Sequence, residues 1–285
     1  MKDYLNIATC FDDTIRIYSA TTTNTVKEAQ DIHNLWPTSC AALGRTLTLG
    51  LMMSVMQKAG ERLTIKINGN GPIGQILVEA SYAKVRGFVH NPGIYLTNNN
   101  GKLAVGYAVG TDGLFEVTKD LHLKAPFSSS VELVSGEIAE DAAEYFLKSE
   151  QTPTAVSLGV LFDREGKVTS AGGYIIQVMP NCTDETITFL EKKLSTILPI
   201  SSLIEKNNSP EEIINLITEG NYKLLDTVEL SYSCDCSKER FERGIKSLGE
   251  SEIKEMISED KDFEVNCNFC NKKYTFTKAD LEKLI

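Results

Sequence analysis

Arg62-Leu63-Thr64-Ile65-Lys66-Ile67-Asn68-Gly69-Asn70-Gly71-Pro72-Ile73-Gly74-Gln75-Ile76-Leu77-Val78 is the stretch that decides the fold class of this chain. Its centre, Gly69 to Gly74, satisfies the G-x-G-x-x-G pattern of a dinucleotide site letter for letter. Such a site needs a helix to begin at the glycines, so that its first amides face the pyrophosphate, and an acid about 20 residues further on. Here the glycines run into Gln75-Ile76-Leu77-Val78, which reads as strand, and no Asp or Glu occurs between Glu79 and Asp112. The glycines therefore mark a turn between strands, and a nucleotide-binding βαβ unit is set aside.

The flanking segments agree with that reading. Asn6 to Tyr18 reads as strand, with Ile15 and Ile17 on one face and Arg16 and Tyr18 on the other. Thr25-Val26-Lys27-Glu28 has the form of a capping box and opens a helix that stops before Trp36-Pro37. Pro37 suits the first turn of a longer helix reaching about Lys58. Arg62 to Ile67, Ile73 to Ala80, Lys84 to His90, Leu103 to Val109 and Leu114 to Lys119 read as strands. Ile138 to Lys148 returns to helical spacing, and Ala155 to Phe162 and Val168 to Met179 bracket the turn Asp163-Arg164-Glu165-Gly166. Short adjacent strands with tight turns predict an α+β fold whose large N-terminal domain, residues 1–180, is mainly antiparallel sheet with packed helices.

Residues 181–230 read as a helical linker. A first amphipathic helix carries Ile187, Leu190, Leu194, Ile197 and Leu198 and ends at Pro199. A second opens at Ser209-Pro210-Glu211-Glu212, carries Ile213, Ile214, Leu216 and Ile217, and stops at Gly220. Helices this short are marginal alone and need a surface to lie on. As a releasable cover they would uncover an apolar face made by Ile187, Leu190, Leu194, Ile213, Ile214 and Ile217.

The last segment, residues 231–285, contains Cys234-Asp235-Cys236 and Cys267-Asn268-Phe269-Cys270, with residues 237–266 between the pairs. Two close pairs brought together across a loop supply four sulfurs to one tetrahedral ion, and soft sulfur ligands select zinc, one Zn2+ per chain. The same spacing sets each thiol beside a potential disulfide partner. Lys238 to Ile257 reads as a charged helical stretch interrupted near Gly249, Lys272 to Phe276 as strand, and Thr277-Lys278-Ala279-Asp280 as the start of a last helix. With few large apolar residues, this zinc module should depend on its ion. Four thiolates around Zn2+ leave a formal charge of about −2, which Lys238, Lys272 and Lys273 are placed to offset in part.

Composition narrows the function classes. The 285 residues include 39 acidic and 29 basic side chains, a net charge of −10 that is repelled by phosphate backbones, so nucleic acid is not an expected partner. The N-terminus lacks the basic and apolar regions of a signal peptide, and the longest apolar stretch, Thr46 to Met56, is far short of the ~20 residues that cross a bilayer, so no membrane association is expected. A cytoplasmic location follows, where the reducing environment favours thiols or metal ligands over structural disulfides. Cys10, Cys40 and Cys182 are read as structural or incidental. His33, His90 and His122 have neither zincin spacing nor a nucleophile motif, so no enzyme is expected.

A further set of short motifs runs in order along the chain: Ala41-Ala42-Leu43-Gly44-Arg45, Gly69 to Gly74, Val85-Arg86-Gly87, Val117-Thr118-Lys119-Asp120, Gly136-Glu137-Ile138-Ala139-Glu140-Asp141, Ser149-Glu150-Gln151 and Gly172-Gly173-Tyr174. With the four C-terminal cysteines, over essentially its whole length, the chain resembles the redox-regulated heat-shock protein 33 family, also called the 33 kDa chaperonin. The resemblance implies an ATP-independent holdase that is inactive while reduced and zinc-bound. Oxidative stress converts the cysteines of such proteins to two disulfides and releases zinc. The C-terminal module and linker then unfold, and the protein, often a homodimer, captures unfolded client proteins. Carried over to this sequence, the implied bonds are Cys234–Cys236 and Cys267–Cys270; spacing alone leaves three pairings open. The alternative class is a zinc-dependent nucleic-acid or protein-binding adaptor, with a fixed zinc fold and no gain of function on oxidation.

Overall fold

In the structure, a computed structural model describing residues 2–259 and 261–285, Tyr4–Cys10 (β1) and Ile15–Thr21 (β2) are two strands where apolar spacing predicts one. The chain reverses at Phe11, Asp12 and Asp13, all in the left-handed region with φ of 52°, 56° and 62°. Aspartate tolerates that backbone better than most residues, so the turn needs no glycine to announce it. Ile15 and Ile17 face one apolar layer and Tyr18 the other, as the alternation predicts.

Helix Thr23–His33 (α1) starts earlier than the expected capping box, and its N-cap residue Thr22 makes no side-chain cap. Asp3, just before β1, does that work from a distance. Its carboxylate accepts from the backbone N–H of Asn24 at 3.0 Å and of Thr25 at 2.6 Å. Helix Pro37–Ser54 (α2) ends four residues short of the expected Lys58. All its residues except Pro37 and Arg45 are buried, because it runs between two sheets and presents no face to water. Small residues allow the approach on both sides. A Cβ at Gly44 would meet Val26 Cγ1 at 2.7 Å, and one at Gly50 would meet Val78 Cγ1 at 2.9 Å.

The stretch that decides the fold class folds as read. Arg62–Asn68 (β3) and Gln75–Ser81 (β4) pair antiparallel from Arg62↔Ser81 to Asn68↔Gln75, and Lys84–Val89 (β5) continues the sheet. Glycine is required in the connecting loop because the backbone there lies against another backbone: a Cβ at Gly71 would fall 2.2 Å from Ala108 O. That neighbour corrects a second expectation. Leu103 to Val109 is not a strand; Val105–Val109 forms a short helix (α3) that buries Val105, Ala108 and Val109 and exposes Tyr107. The carbonyls of Ala108 and Val109 accept from Ile73 N–H and Gly71 N–H, each at 3.0 Å, so they serve the loop and not a ladder.

Leu114–Asp120 (β6), Phe127–Glu132 (β7), Ala139–Lys148 (α4), Thr154–Phe162 (β8), Val168–Val178 (β9), Asp184–Thr196 (α5), Ile200–Glu205 (α6), Pro210–Thr218 (α7), Tyr222–Glu229 (β10) and Ser231–Tyr232 (β11) complete the first unit. Among the described residues they form a five-stranded sheet, β10-β1-β2-β9-β8, and a six-stranded sheet, β11-β5-β4-β3-β6-β7. Pairing is antiparallel except for the two-residue β11, which runs parallel to β5. Strands β7 and β10 and helix α6 escape the sequence reading. β7 is a serine-rich edge strand bonded only to β6, and β10 leaves most of its side chains in water, so neither carries strong apolar alternation. No helix among the described residues is long and apolar enough to cross a membrane.

The chain divides into two compact units, Met1–Tyr232 and Ser233–Ile285. Helices α5, α6 and α7 fold with the first. They lie on the face of the five-stranded sheet opposite α2, where Ala8, Cys10, Ile15, Ile17, Tyr174 and Ile176 form an apolar layer beneath them. The expected capping box of α7 is present: Ser209 Oγ accepts from Glu212 N–H at 3.1 Å, and the Glu212 carboxylate accepts from Ser209 N–H at 2.7 Å.

The long-range cap yields a stability prediction. Asp3→Ala should cost about 1–2 kcal/mol, read as a lower urea midpoint with an unchanged slope. An unaltered midpoint would show that α1 does not need this carboxylate.

Candidate metal centre

The second unit is built from Lys238–Lys246 (α8), Glu250–Ser258 (α9), Phe263–Asn266 (β12), Lys273–Phe276 (β13) and Lys278–Glu282 (α10). The helical break expected near Gly249 is present, with Gly249 at φ 99°. The last helix opens where expected, on a Thr277–Asp280 capping box. Strands β12 and β13 pair antiparallel from Phe263↔Phe276 to Asn266↔Lys273. That register holds the C-x-x-C turn at the end of a hairpin. Among the described residues, Ile245, Ile253, Phe276 and Leu281 form its buried core, with Phe241, Met256, Ile257, Phe263, Val265, Tyr274 and Leu284 packed partly buried against it.

At the hairpin end, Cys267 and Cys270 meet Cys234 and Cys236 from the segment before α8. The four sulfurs lie within 4.8 Å of one another. Cys234 Sγ is 3.7 Å from Cys267 Sγ, and Cys236 Sγ is 3.3 Å from Cys270 Sγ. A tetrahedral site with metal–sulfur bonds of about 2.3 Å has sulfur–sulfur edges of about 3.8 Å, so the cluster has the size of such a site. The four cysteines can hold a metal ion, and no disulfide joins them.

Backbone N–H groups prepare the sulfurs to be thiolates. Those of Phe269 and Cys270 point at Cys267 Sγ, and that of Lys272 at Cys270 Sγ. Asn271, in the left-handed region at φ 56°, lets the chain turn tightly enough for this. Part of the charge offset expected of lysine side chains thus falls to the main chain. Lys238 is bound to Asp280 at 2.8 Å and Lys273 to Glu264 at 2.8 Å, which spends both charges on carboxylates.

Tyr274 is a contributor that the sequence reading missed. Its hydroxyl lies 3.2 Å from Cys236 Sγ and 3.0 Å from the Cys236 carbonyl oxygen. The available signal was its position on the strand after the C-x-x-C, two residues from buried Phe276 and so on the same face. Burial alone raises the Cys236 thiol, but hydrogen bonds from Tyr274 and the other three cysteines outweigh it and bring Cys236 down to about 7. Burial, together with hydrogen bonds to the Cys236, Cys234 and Cys267 sulfurs, pushes Cys270 up, and burial raises Cys267. The hydrogen bond to Cys236 pushes Tyr274 up to about 12. Cys236 is thus favoured as a thiolate over Cys267 and Cys270.

The remaining cysteines have a different character. Burial pushes Cys10 and Cys40 up to about 12, which holds both as thiols. Among the described residues, the four C-terminal cysteines are the one group of His, Cys, Asp or Glu able to hold a metal ion. Of the residues expected to meet clients, Leu190, Ile213, Ile214 and Ile217 are buried against the five-stranded sheet, while Ile187 and Leu194 are half-buried.

Fold and site together define a two-unit α+β protein with a cluster of four cysteines able to hold a metal ion. The family model described as Hsp33 protein matches residues 3–277. A 33 kDa chaperonin of Bacillus cytotoxicus is 46% identical over 288 residues, covering 100% of this chain and 99% of its own. One of Bacillus cereus (strain B4264) is 47% identical with the same coverage. The crystal structure of a 33 kDa chaperonin (heat shock protein 33 homolog) from Thermotoga maritima matches with a TM-score of 0.92 at 36% identity, covering 100% of this chain and 98% of that one. The chain belongs to the Hsp33 family of chaperones.

The contact between Tyr274 and Cys236 can be read chemically. In the reduced, metal-free protein, Tyr274→Phe should raise the Cys236 thiol above about 7 and slow its alkylation at neutral pH. An unchanged alkylation rate would remove Tyr274 from the account.

Proposed function

We propose that this chain is an ATP-independent holdase whose client-binding surface is governed by Cys234, Cys236, Cys267 and Cys270, with one zinc ion held in the reduced state. The observation that carries the reading is the meeting of two local cysteine pairs in one cluster of four sulfurs within 4.8 Å. Each pair can leave the cluster by bonding to itself. Oxidation by peroxide is balanced as follows: four thiolates give four electrons to two hydrogen peroxide molecules, forming two disulfides and four hydroxide ions and freeing the ion. The pairing in this reading is Cys234–Cys236 and Cys267–Cys270.

The energetics favour unfolding on oxidation. Disulfides that close three- or four-residue loops restrain the unfolded chain by only about 2 kcal/mol each. A structural zinc supplies about 10–16 kcal/mol of apparent binding energy in small peptides. A unit whose common core is Ile245, Ile253, Phe276 and Leu281 has little else to replace that loss. In this reading residues 233–285 melt, and the loss passes up the chain through β11, which pairs with β5 at Ser231↔Lys84 and Tyr232↔Val85.

Residues 181–230 then act as a linker that loosens from the first unit. Ile187, Leu190, Leu194, Ile213, Ile214 and Ile217, together with the sheet layer of Ile15, Ile17 and Ile176, become an apolar surface for unfolded clients. Zinc is here an inhibitor's clasp and not a catalyst. The reading places the protein in a reducing cytoplasm, free of nucleic acid and membrane, with a homodimer as the active form. The adaptor alternative is disfavoured by the net charge of −10.

The test follows bound zinc, thiol content and suppression of client aggregation together during peroxide treatment. We expect zinc release and loss of C-terminal order to accompany a gain of suppression. An oxidised protein that stays folded and inert contradicts the proposal.

A further inference from the structure

Two cysteines outside the cluster share one apolar layer. Cys10 ends β1 on the outer face of the five-stranded sheet and is 3% exposed. Cys182, two residues before α5, is partly exposed and packs on that same layer. The register brings them to one corner. Cys10 pairs with Ile15, and Ile15 with Val178 at the end of β9. Met179 N–H donates to Thr14 O at 2.8 Å and Cys182 N–H to Met179 O at 3.4 Å, which turns the chain back beside the β1–β2 reversal. Phe11, next to Cys10, meets Phe189 of α5 edge-on with ring centroids 5.6 Å apart. Each thiol donates to a nearby backbone carbonyl, Cys10 to Ile15 O at 3.8 Å and Cys182 to Thr183 O at 3.8 Å.

We infer that Cys10 and Cys182 form a third redox pair, an internal disulfide site that ties the entrance of α5 to the end of β1. Cys182 lies outside any helix or strand, so no ladder fixes its Cβ against the approach to about 3.8 Å that a disulfide needs. The more accessible Cys182 reacts first. Its sulfur displaces hydroxide from a peroxide to give a sulfenic acid; the Cys10 thiol then attacks the sulfenic sulfur, its proton passing to the departing hydroxide, which leaves as water. Overall, two thiols and one hydrogen peroxide give one disulfide and two waters.

This pair differs in consequence from the four near the C-terminus. It closes a loop from residue 10 to residue 182, so it constrains much of the first unit, whereas the local pairs constrain almost nothing. On the reading that residues 181–230 loosen on activation, a claim that rests on the function proposed above, the Cys10–Cys182 bond anchors their first residues. The released segment then begins beyond Cys182.

Full-length protein is oxidised with hydrogen peroxide, its monomer is unfolded in denaturant, and free thiols are counted and mapped by non-reducing peptide mass spectrometry. The chain has seven cysteines, so the count should fall to one, Cys40, with the Cys10 and Cys182 peptides joined. Cys182→Ser, treated alike, should stop at two free thiols, Cys10 and Cys40. A wild-type map in which the Cys10 and Cys182 peptides stay unjoined, or in which either is joined to any other cysteine, overturns the inference. The same map reads the Cys234–Cys236 and Cys267–Cys270 bonds separately, so failure of the third pair and failure of the C-terminal switch are distinguishable.

Discussion

Four sulfurs within 4.8 Å of one another place a strict electrostatic demand on the C-terminal unit. Two unit charges about 4 Å apart repel by about 4 kcal/mol at an effective dielectric constant of about 20, and every pair in the cluster contributes. The unaided thiols meet the demand by uneven ionisation: Cys236 falls to about 7 while Cys267 and Cys270 are driven up. A cation removes the conflict and lets the N–H groups of Phe269, Cys270 and Lys272 point at thiolates. The β12–β13 hairpin and the approach of Cys234 and Cys236 make sense only as a way to bring those sulfurs together.

The two units are stabilised in contrasting ways. The first closes two sheets on α2, a helix buried almost all round, whose Thr48 shares a hydroxyl hydrogen bond of 2.7 Å with Thr22. Arg45, one of the two residues of α2 that are not buried, is clamped by Glu137, which also accepts from Gly106 N–H at 3.0 Å. The second unit has a far smaller core, Ile245, Ile253, Phe276 and Leu281. Between these extremes lie α5, α6 and α7, short helices held by one apolar layer. A perturbation at the sulfurs therefore meets weak structure first, then intermediate structure, and a resistant core last.

The site was more legible in the sequence than the fold around it. Cysteine spacing identifies all four sulfurs because metal geometry is local to each pair and the chemistry belongs to one residue type. The same holds for caps made within four residues, such as Ser209 with Glu212 and Thr277 with Asp280. Features made across the chain were not legible. The Asp3 carboxylate that caps α1 sits 21 residues from Asn24, and the β1–β2 reversal lacks glycine. Alternation from Leu103 to Val109 imitated a strand because Tyr107 and Leu103 are apolar without being buried. Tyr274 gave no chemical signal until the structure put its hydroxyl beside Cys236.

The central claim is that the ion, and not the apolar core, keeps the second unit folded. The most direct test is amide hydrogen exchange after the metal is removed by a chelator under reducing conditions, so that no disulfide forms. The account predicts rapid exchange throughout α8, α9, α10, β12 and β13 while the amides of α2 stay protected. Persistent protection of β12 and β13 in the metal-free, reduced protein would contradict it.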